Sequence, residues 1–327
     1  MININFDDFN KLNFELTKAN PIVKRFGFSP IVADPSVLTP SQSHDGKWHM
    51  FCHTLFGVYH FISGDGFSWK KRGKVLNRAM RPNINYIDGV YYLYYESVQP
   101  LLKRGLSLIN GKWKSEIYVT TSADLINWSK PLKVVGAEKD YMLFNGGYSV
   151  SNPFLIKNEN NLRLYFSAGL TYIKDCGFSE PTYISLSESD NPLSGFTPLD
   201  CPILKPDSEC EYLNICCGCI KVYRLKDCFI GLQNGIYKDK DNNSHSAIML
   251  LKSNDGINFE FVKPLIVPKV CPESKIKDWM AQYVYACCLS CFDGTFYIYF
   301  NARDKAHALK GRENIGLAIA TLEKAKN

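Results

Sequence analysis

One unit, a tight turn followed by an aromatic-rich strand, recurs five times along this 327-residue chain and restricts its folding more than any other feature. Strong copies are Asp45-Gly46-Lys47-Trp48-His49-Met50-Phe51, Asp88-Gly89-Val90-Tyr91-Tyr92-Leu93-Tyr94 and Asp293-Gly294-Thr295-Phe296-Tyr297-Ile298-Tyr299. Weaker ones run Asn160-Asn161-Leu162-Arg163-Leu164-Tyr165-Phe166 and Lys226-Asp227-Cys228-Phe229-Ile230-Gly231-Leu232. Asp-Gly between apolar runs marks a hairpin, because the turn needs residues that tolerate positive φ. A second pattern trails the first: a strand, a Ser, a turn and an aromatic. It reads Ser63-Gly64-Asp65-Gly66-Phe67-Ser68-Trp69, Ser122-Ala123-Asp124-Leu125-Ile126-Asn127-Trp128 and Ser253-Asn254-Asp255-Gly256-Ile257-Asn258-Phe259, and more loosely Ser187 with Phe196.

The copies begin at residues 45, 88, 160, 226 and 293, leaving each unit room for about four short strands, the content of one propeller blade. The sequence thus predicts an all-β fold, a five-bladed β-propeller forming one domain over 1–327. Its blades fall at 28–77, 78–136, 147–204, 209–268 and 279–323, after an N-terminal segment 1–27. A β-sandwich would not repeat one hairpin-plus-turn unit five times. Helical patterning is confined to 7–18 and 274–281.

The 38 basic and 32 acidic residues are spread without a basic block, which argues against nucleic acid as a partner; Lys70-Lys71-Arg72 reads as a solvated turn. No apolar run reaches about 18 residues, so no membrane span is expected. Met1 to Asp8 lacks the basic and apolar stretches of a secretory signal, which predicts a cytoplasmic protein whose 12 cysteines are reduced and mostly buried. Cys288 and Cys291 have zinc-ligand spacing but fall in an apolar inner strand, so no metal and no cofactor are expected. The 19 Tyr and 20 Phe suit pleated surfaces and also stack on sugar faces.

In a propeller the start of each inner strand and the end of the next strand meet at one mouth. Aligning the units puts His53, Glu96, Ala168, Asn234 and Asn301 at the second-strand ends. The inner strands start at Asp34-Pro35, Arg81-Pro82-Asn83, Ser151-Asn152-Pro153, Cys217-Gly218-Cys219 and Tyr285-Ala286, and proline is tolerated at a strand start. By the same parity Glu180 and His245 begin third strands at that mouth. Structural alternatives stand beside each: Asp34 as a turn cap, Arg81 and Glu96 as an internal ion pair, His53 as a core histidine and Glu180 as a loop carboxylate.

These residues carry a resemblance. Phe28-Ser29-Pro30-Ile31-Val32-Ala33-Asp34-Pro35-Ser36-Val37 resembles the opening strand of glycoside hydrolase family 43, in which the Asp before Pro is the general base. Tyr86 to Tyr95 resembles that family's second blade, and Thr120 to Trp128 is a typical unit. The family's second blade starts with an Asp that tunes the acid, where this chain has Asn83. Its third blade offers Glu-Gly-Pro with Glu as acid, where this chain reads Ser151-Asn152-Pro153. The chain is similar to an off-branch of such propellers, marked by Lys174 to Pro181, Gln233 to Tyr237 and Tyr299 to Asp304.

Two functions follow as expectations. A glycoside hydrolase would need two carboxyl groups in the funnel: Asp34 as base or nucleophile, with Glu180 or Glu96 as partner. Arg81 beside Glu96 would keep that group ionised, which favours Glu180 as the acid. His53, Arg81, Asn83, Asn152, Asn234, Asn301 and Arg303 would bind sugar hydroxyls, with Tyr237, Trp279 and Tyr285 as aromatic contacts. A non-hydrolytic carbohydrate-binding or polysaccharide-building protein is the alternative, favoured by the missing Glu-Gly-Pro.

Overall fold

Asp88-Gly89 and Asp293-Gly294 turn the chain with both residues of each pair at positive φ, between 48° and 84°, which is the two-residue hairpin geometry that suits the right-handed twist of strands. The computed structural model describes residues 2–100, 102–103, 112–159, 161–268 and 278–322. Its strands form five radial sheets. Inner strands are Ala33–Leu38, Ala79–Ile87, Gly147–Lys157, Cys216–Arg224 and Tyr283–Phe292. Second strands are Trp48–Thr54, Val90–Val98, Leu162–Ala168, Phe229–Lys238 and Thr295–Arg303, each antiparallel to its inner neighbour. Third strands follow at Gly57–Ser63, Lys114–Ser122, Tyr183–Ser189, Ser244–Ser253 and Glu313–Thr321. Short parallel pairings, such as Ser246 with Tyr283, stitch some blades edge to edge.

The apolar residues explain why the sheets close into a ring. Separate buried clusters fill the seams between blades one and two (Phe51, Val58, Leu93, Tyr95), two and three (Ile117, Val119, Leu155, Leu164), and three and four (Tyr165, Leu186, Val222, Met249). Others fill the seams between blades four and five (Leu232, Leu250, Phe296, Phe300) and five and one (Met50, Cys52, Tyr299, Leu317). Burying a side chain of this size is worth about 1.5–3 kcal/mol, so each sheet is stable only with neighbours on both faces.

The trailing Ser motif has one geometry in three blades. Ser63 Oγ accepts from the Gly66 amide at 2.9 Å while Asp65 Oδ1 accepts from the Phe67 and Ser68 amides. Ser122 with Asp124, and Ser253 with Asp255, repeat it. Tyr299, Tyr165 and Tyr94 donate to the carbonyls of Gly66, Gly256 and Pro192, each in the next blade. The repeat therefore encodes both a turn and the clasp that holds it to its neighbour.

Several expectations change. The helical pattern at 7–18 yields only Phe6–Asn10, capped by Asn5 and seated on the core through Phe6 and Phe9. Glu15–Leu16 instead pairs with Ala318 and Ile319 as the outermost strand of blade five, so the N-terminal segment completes a blade. Of 274–281, residues 274–277 lie outside the described residues and 278–281 hold no helix; Asn160 of the third repeat copy also lies outside. Lys70-Lys71-Arg72 is the start of the exposed outer strand Lys70–Leu76, not a turn. The 11 described cysteines are free thiols; Cys288 is buried, whereas Cys291 on the same strand is exposed.

Candidate active site

Every inner strand breaks its register near its start. In four blades the bulge places a residue at positive φ: Asp34 at 52°, Arg81 and Asn152 at 51°, and Gly218 at 62°. A residue in this region is strained unless its surroundings hold it there. Proline follows the first three and disfavours the right-handed alternative. A bulge re-aims a side chain out of the ladder, and all four residues line a cavity of about 400 Å3 at the propeller mouth.

The second-strand ends hold these bulges. The Asp34 amide donates to Asn301 Oδ1 at 3.0 Å, the Arg81 amide to His53 Nδ1 at 3.2 Å, and the Cys219 amide to Asn234 Oδ1 at 3.0 Å. Asn301 also donates to Glu313 Oε2, so both ends of its amide are engaged. His53 Nδ1 lies 3.3 Å from Asp34 Oδ2 as well, placing one ring nitrogen between the Arg81 backbone and the Asp34 carboxyl.

Asp34 is enclosed, and burial pushes its pKa up against the opposing pull of the Arg81 and Lys221 cations. Glu180 shares the cavity, and burial pushes its carboxyl up to about 7; Arg81 opposes this, while Glu313 and Asp34 add to it. Tyr285 Oη stands at the Glu180 carboxyl, near enough to lower its pKa yet outside hydrogen-bonding geometry. Arg81 ion-pairs with Glu96 through Nη1, and its charge also reaches Asp34 and Glu180. Arg303 pairs with Glu313 at 2.6 Å and donates to the carbonyls of Lys305, His307 and Ala308, which fixes the adjoining wall of the funnel.

Of the residues expected from sequence, Asp34, His53, Arg81, Asn152, Glu180, Asn234, Tyr285, Asn301 and Arg303 all line this cavity. Four do not. Glu96 is fully buried behind Arg81, with Oε1 lacking a hydrogen-bond partner among the described residues. Asn83 is spent on structure, its Oδ1 accepting from the Leu155 amide and Asn85 Nδ2. Trp279 stacks on Phe300 beneath blade five, and Tyr237 packs on Tyr212 and His245. His245 is held by Asp239 and the Gln282 carbonyl, also away from the cavity lining. Glu180 belongs to a hairpin inserted before the third strand of blade three, Thr171–Ile173 with Phe178–Glu180, rather than to that strand's first residue.

Sequence reading missed Glu313 and Lys221. Glu313 opens the third strand of blade five, where the parity used for Glu180 and His245 would have found it. Lys221 lies buried on the inner strand of blade four, its Nζ over the Phe154 ring at 5.3 Å and 3.5 Å from the Pro153 carbonyl. No sequence signal separates it from a surface lysine.

No known protein family and no curated protein matches this sequence. Solved structures do. The chain is similar to Zg3597, a family 117 glycoside hydrolase of the marine bacterium Zobellia galactanivorans, at 16% identity over 95% of this chain and 91% of that one, with a TM-score of 0.61. It is similar to a thermostable family-43 glycoside hydrolase at 12% identity, 92% of each chain and a TM-score of 0.64. It is also similar to a structure from the GH130 family of mannoside phosphorylases, described as containing glycoside hydrolases that target β-1,2 mannosidic linkages in Candida mannan, at 14% identity, 98% and 97% coverage and a TM-score of 0.62. The fold is that of the propeller glycosidases, over essentially the whole length.

Proposed function

We propose that this protein hydrolyses a glycosidic bond in its funnel, with Glu180 as general acid and Asp34 as general base or nucleophile. One observation carries the reading: Glu180, its carboxyl pushed up to about 7 by burial, shares the funnel cavity with Asp34. A group with such a pKa is part protonated at neutral pH and donates readily, which is how glycosidases separate the roles of paired carboxyls. Glu180 gives its proton to the leaving oxygen as the bond to the anomeric carbon breaks. Asp34 either takes a proton from the attacking water or attacks that carbon itself, with water then releasing the sugar. Glu180, on the inserted hairpin, would take the role of the family's missing Glu-Gly-Pro acid.

Charge supports water over phosphate as the acceptor. Arg81 and Arg303 are each already paired with a buried carboxylate. Among the described residues, a phosphate dianion would enter beside Asp34, Glu180 and Glu313 without an uncommitted guanidinium to meet it.

The test is a panel of glycosides and short oligosaccharides incubated with the wild-type protein and Asp34→Asn, with and without inorganic phosphate. Hydrolysis is expected to be independent of phosphate and lost in the variant while sugar binding persists. Phosphate-dependent release of a sugar phosphate would replace hydrolysis with phosphorolysis. Binding without turnover, unaffected by the variant, would favour the non-hydrolytic carbohydrate protein.

A further inference from the structure

The cavity has two chemically distinct tiers. Its floor is polar and holds the bulge residues with Glu180. Around its mouth stand Leu55, Trp113, Phe178, Ala308 and Leu309, all at least partly exposed, with Leu309 80% exposed. Trp113 commits its indole N–H to Ser115 Oγ, and Arg303 covers one face of the Phe178 ring at 5.1 Å. The wall carrying Ala308 and Leu309 is fixed by Arg303 and by the Ala308 amide, which donates to the Cys176 carbonyl of the inserted hairpin.

Among the described residues, a second sugar ring in this tier would bring hydroxyls against apolar side chains that offer them no hydrogen-bond partner, and burying a hydroxyl without a hydrogen bond is costly. An alkyl or aryl group meets no such cost and gains from the apolar surface it covers. We propose that the substrate is a glycoside of a single sugar with an apolar aglycone: the sugar on the polar floor, the aglycone against Leu309, Trp113 and their neighbours. This rests on the reading of the floor as a sugar site. It concerns what the mouth accepts, so it can be tested without turnover.

The experiment is calorimetric titration of the full chain with methyl, propyl, butyl and hexyl glycosides of common pentoses and hexoses, in both anomeric forms, and with matching disaccharides. For the sugar that binds, affinity is expected to rise roughly threefold per methylene from methyl to butyl, and butyl glycosides are expected to bind more tightly than disaccharides. Leu309→Asp, at a position too exposed to threaten folding, is expected to reduce the gain per methylene. Affinity independent of chain length, tighter binding of a disaccharide than of the butyl glycoside, or binding of no glycoside at all would overturn the proposal. A chain-length gain without cleavage would uphold the apolar mouth while removing the hydrolase reading.

Discussion

The Asp34 backbone amide is held by Asn301 Oδ1 at 3.0 Å across the seam where the last blade meets the first. This single bond ties the candidate base to the closure of the ring, since Asn301 itself donates to Glu313, which is paired with Arg303. Asn301→Leu would leave the amide at a strained position without its acceptor. The expected result in urea unfolding is a loss of about 1–3 kcal/mol, with turnover reduced more than sugar affinity.

In the proposed mechanism Glu180 sets the alkaline limit of activity. Its carboxyl loses its proton as pH rises through about 7, so kcat is expected to fall above that pH. Glu180→Gln should abolish cleavage of alkyl glycosides and spare that of aryl glycosides with acidic leaving groups, which need little protonation. Removing the Glu313 charge with Glu313→Gln should move the alkaline limb to lower pH, because that charge helps to raise the Glu180 pKa. A pH–rate profile of each variant checks both.

The Arg81–Glu96 pair should be costly to break from one side. Arg81→Met leaves the fully buried Glu96 charge unpaired and is expected to destabilise the fold by about 3–5 kcal/mol. Arg81→Met combined with Glu96→Leu should recover much of that stability without recovering activity. Thermal and urea unfolding of the single and double variants separate the two effects.

Away from the funnel, His49 and His60 are joined at 2.8 Å, and His49 is also joined to Asp45. Burial pushes the His60 pKa down to about 3 and lowers that of His49. The unfolded chain therefore binds protons below about pH 6.5 that the native protein refuses. Stability is fully present above that pH and declines as pH falls towards 3, by about 2 kcal/mol at pH 5 from His60 alone. His60→Phe, which keeps the stacking on Phe51, should flatten this acid limb in unfolding experiments.

The fold was legible because the repeat encodes local geometry: Asp-Gly for the hairpin, Ser-x-Asp for the turn, and Tyr94, Tyr165 and Tyr299 for the clasp between blades. The cavity column was legible through Asp34-Pro35 and Arg81-Pro82, where proline marks a strand start; the bulges there emerged only in the structure. What the sequence hid depends on direction rather than position. Asn83 sits next to the Arg81 bulge, yet alternation turns it toward the Leu155 backbone. Trp279 and Tyr237 have the right chemistry for a sugar platform but are taken up by Phe300 and by Tyr212 with His245. Glu15–Leu16 carries no strand signal of its own; it is a strand because the open edge of blade five accepts its backbone.

The most direct measurement is the crystal structure of Glu180→Gln with a bound glycoside. The glycosidic oxygen is expected within about 2.6–3.2 Å of the residue 180 side chain, with the anomeric carbon facing Asp34. A sugar bound with that carbon turned away from Asp34, or seated outside the funnel, would contradict it.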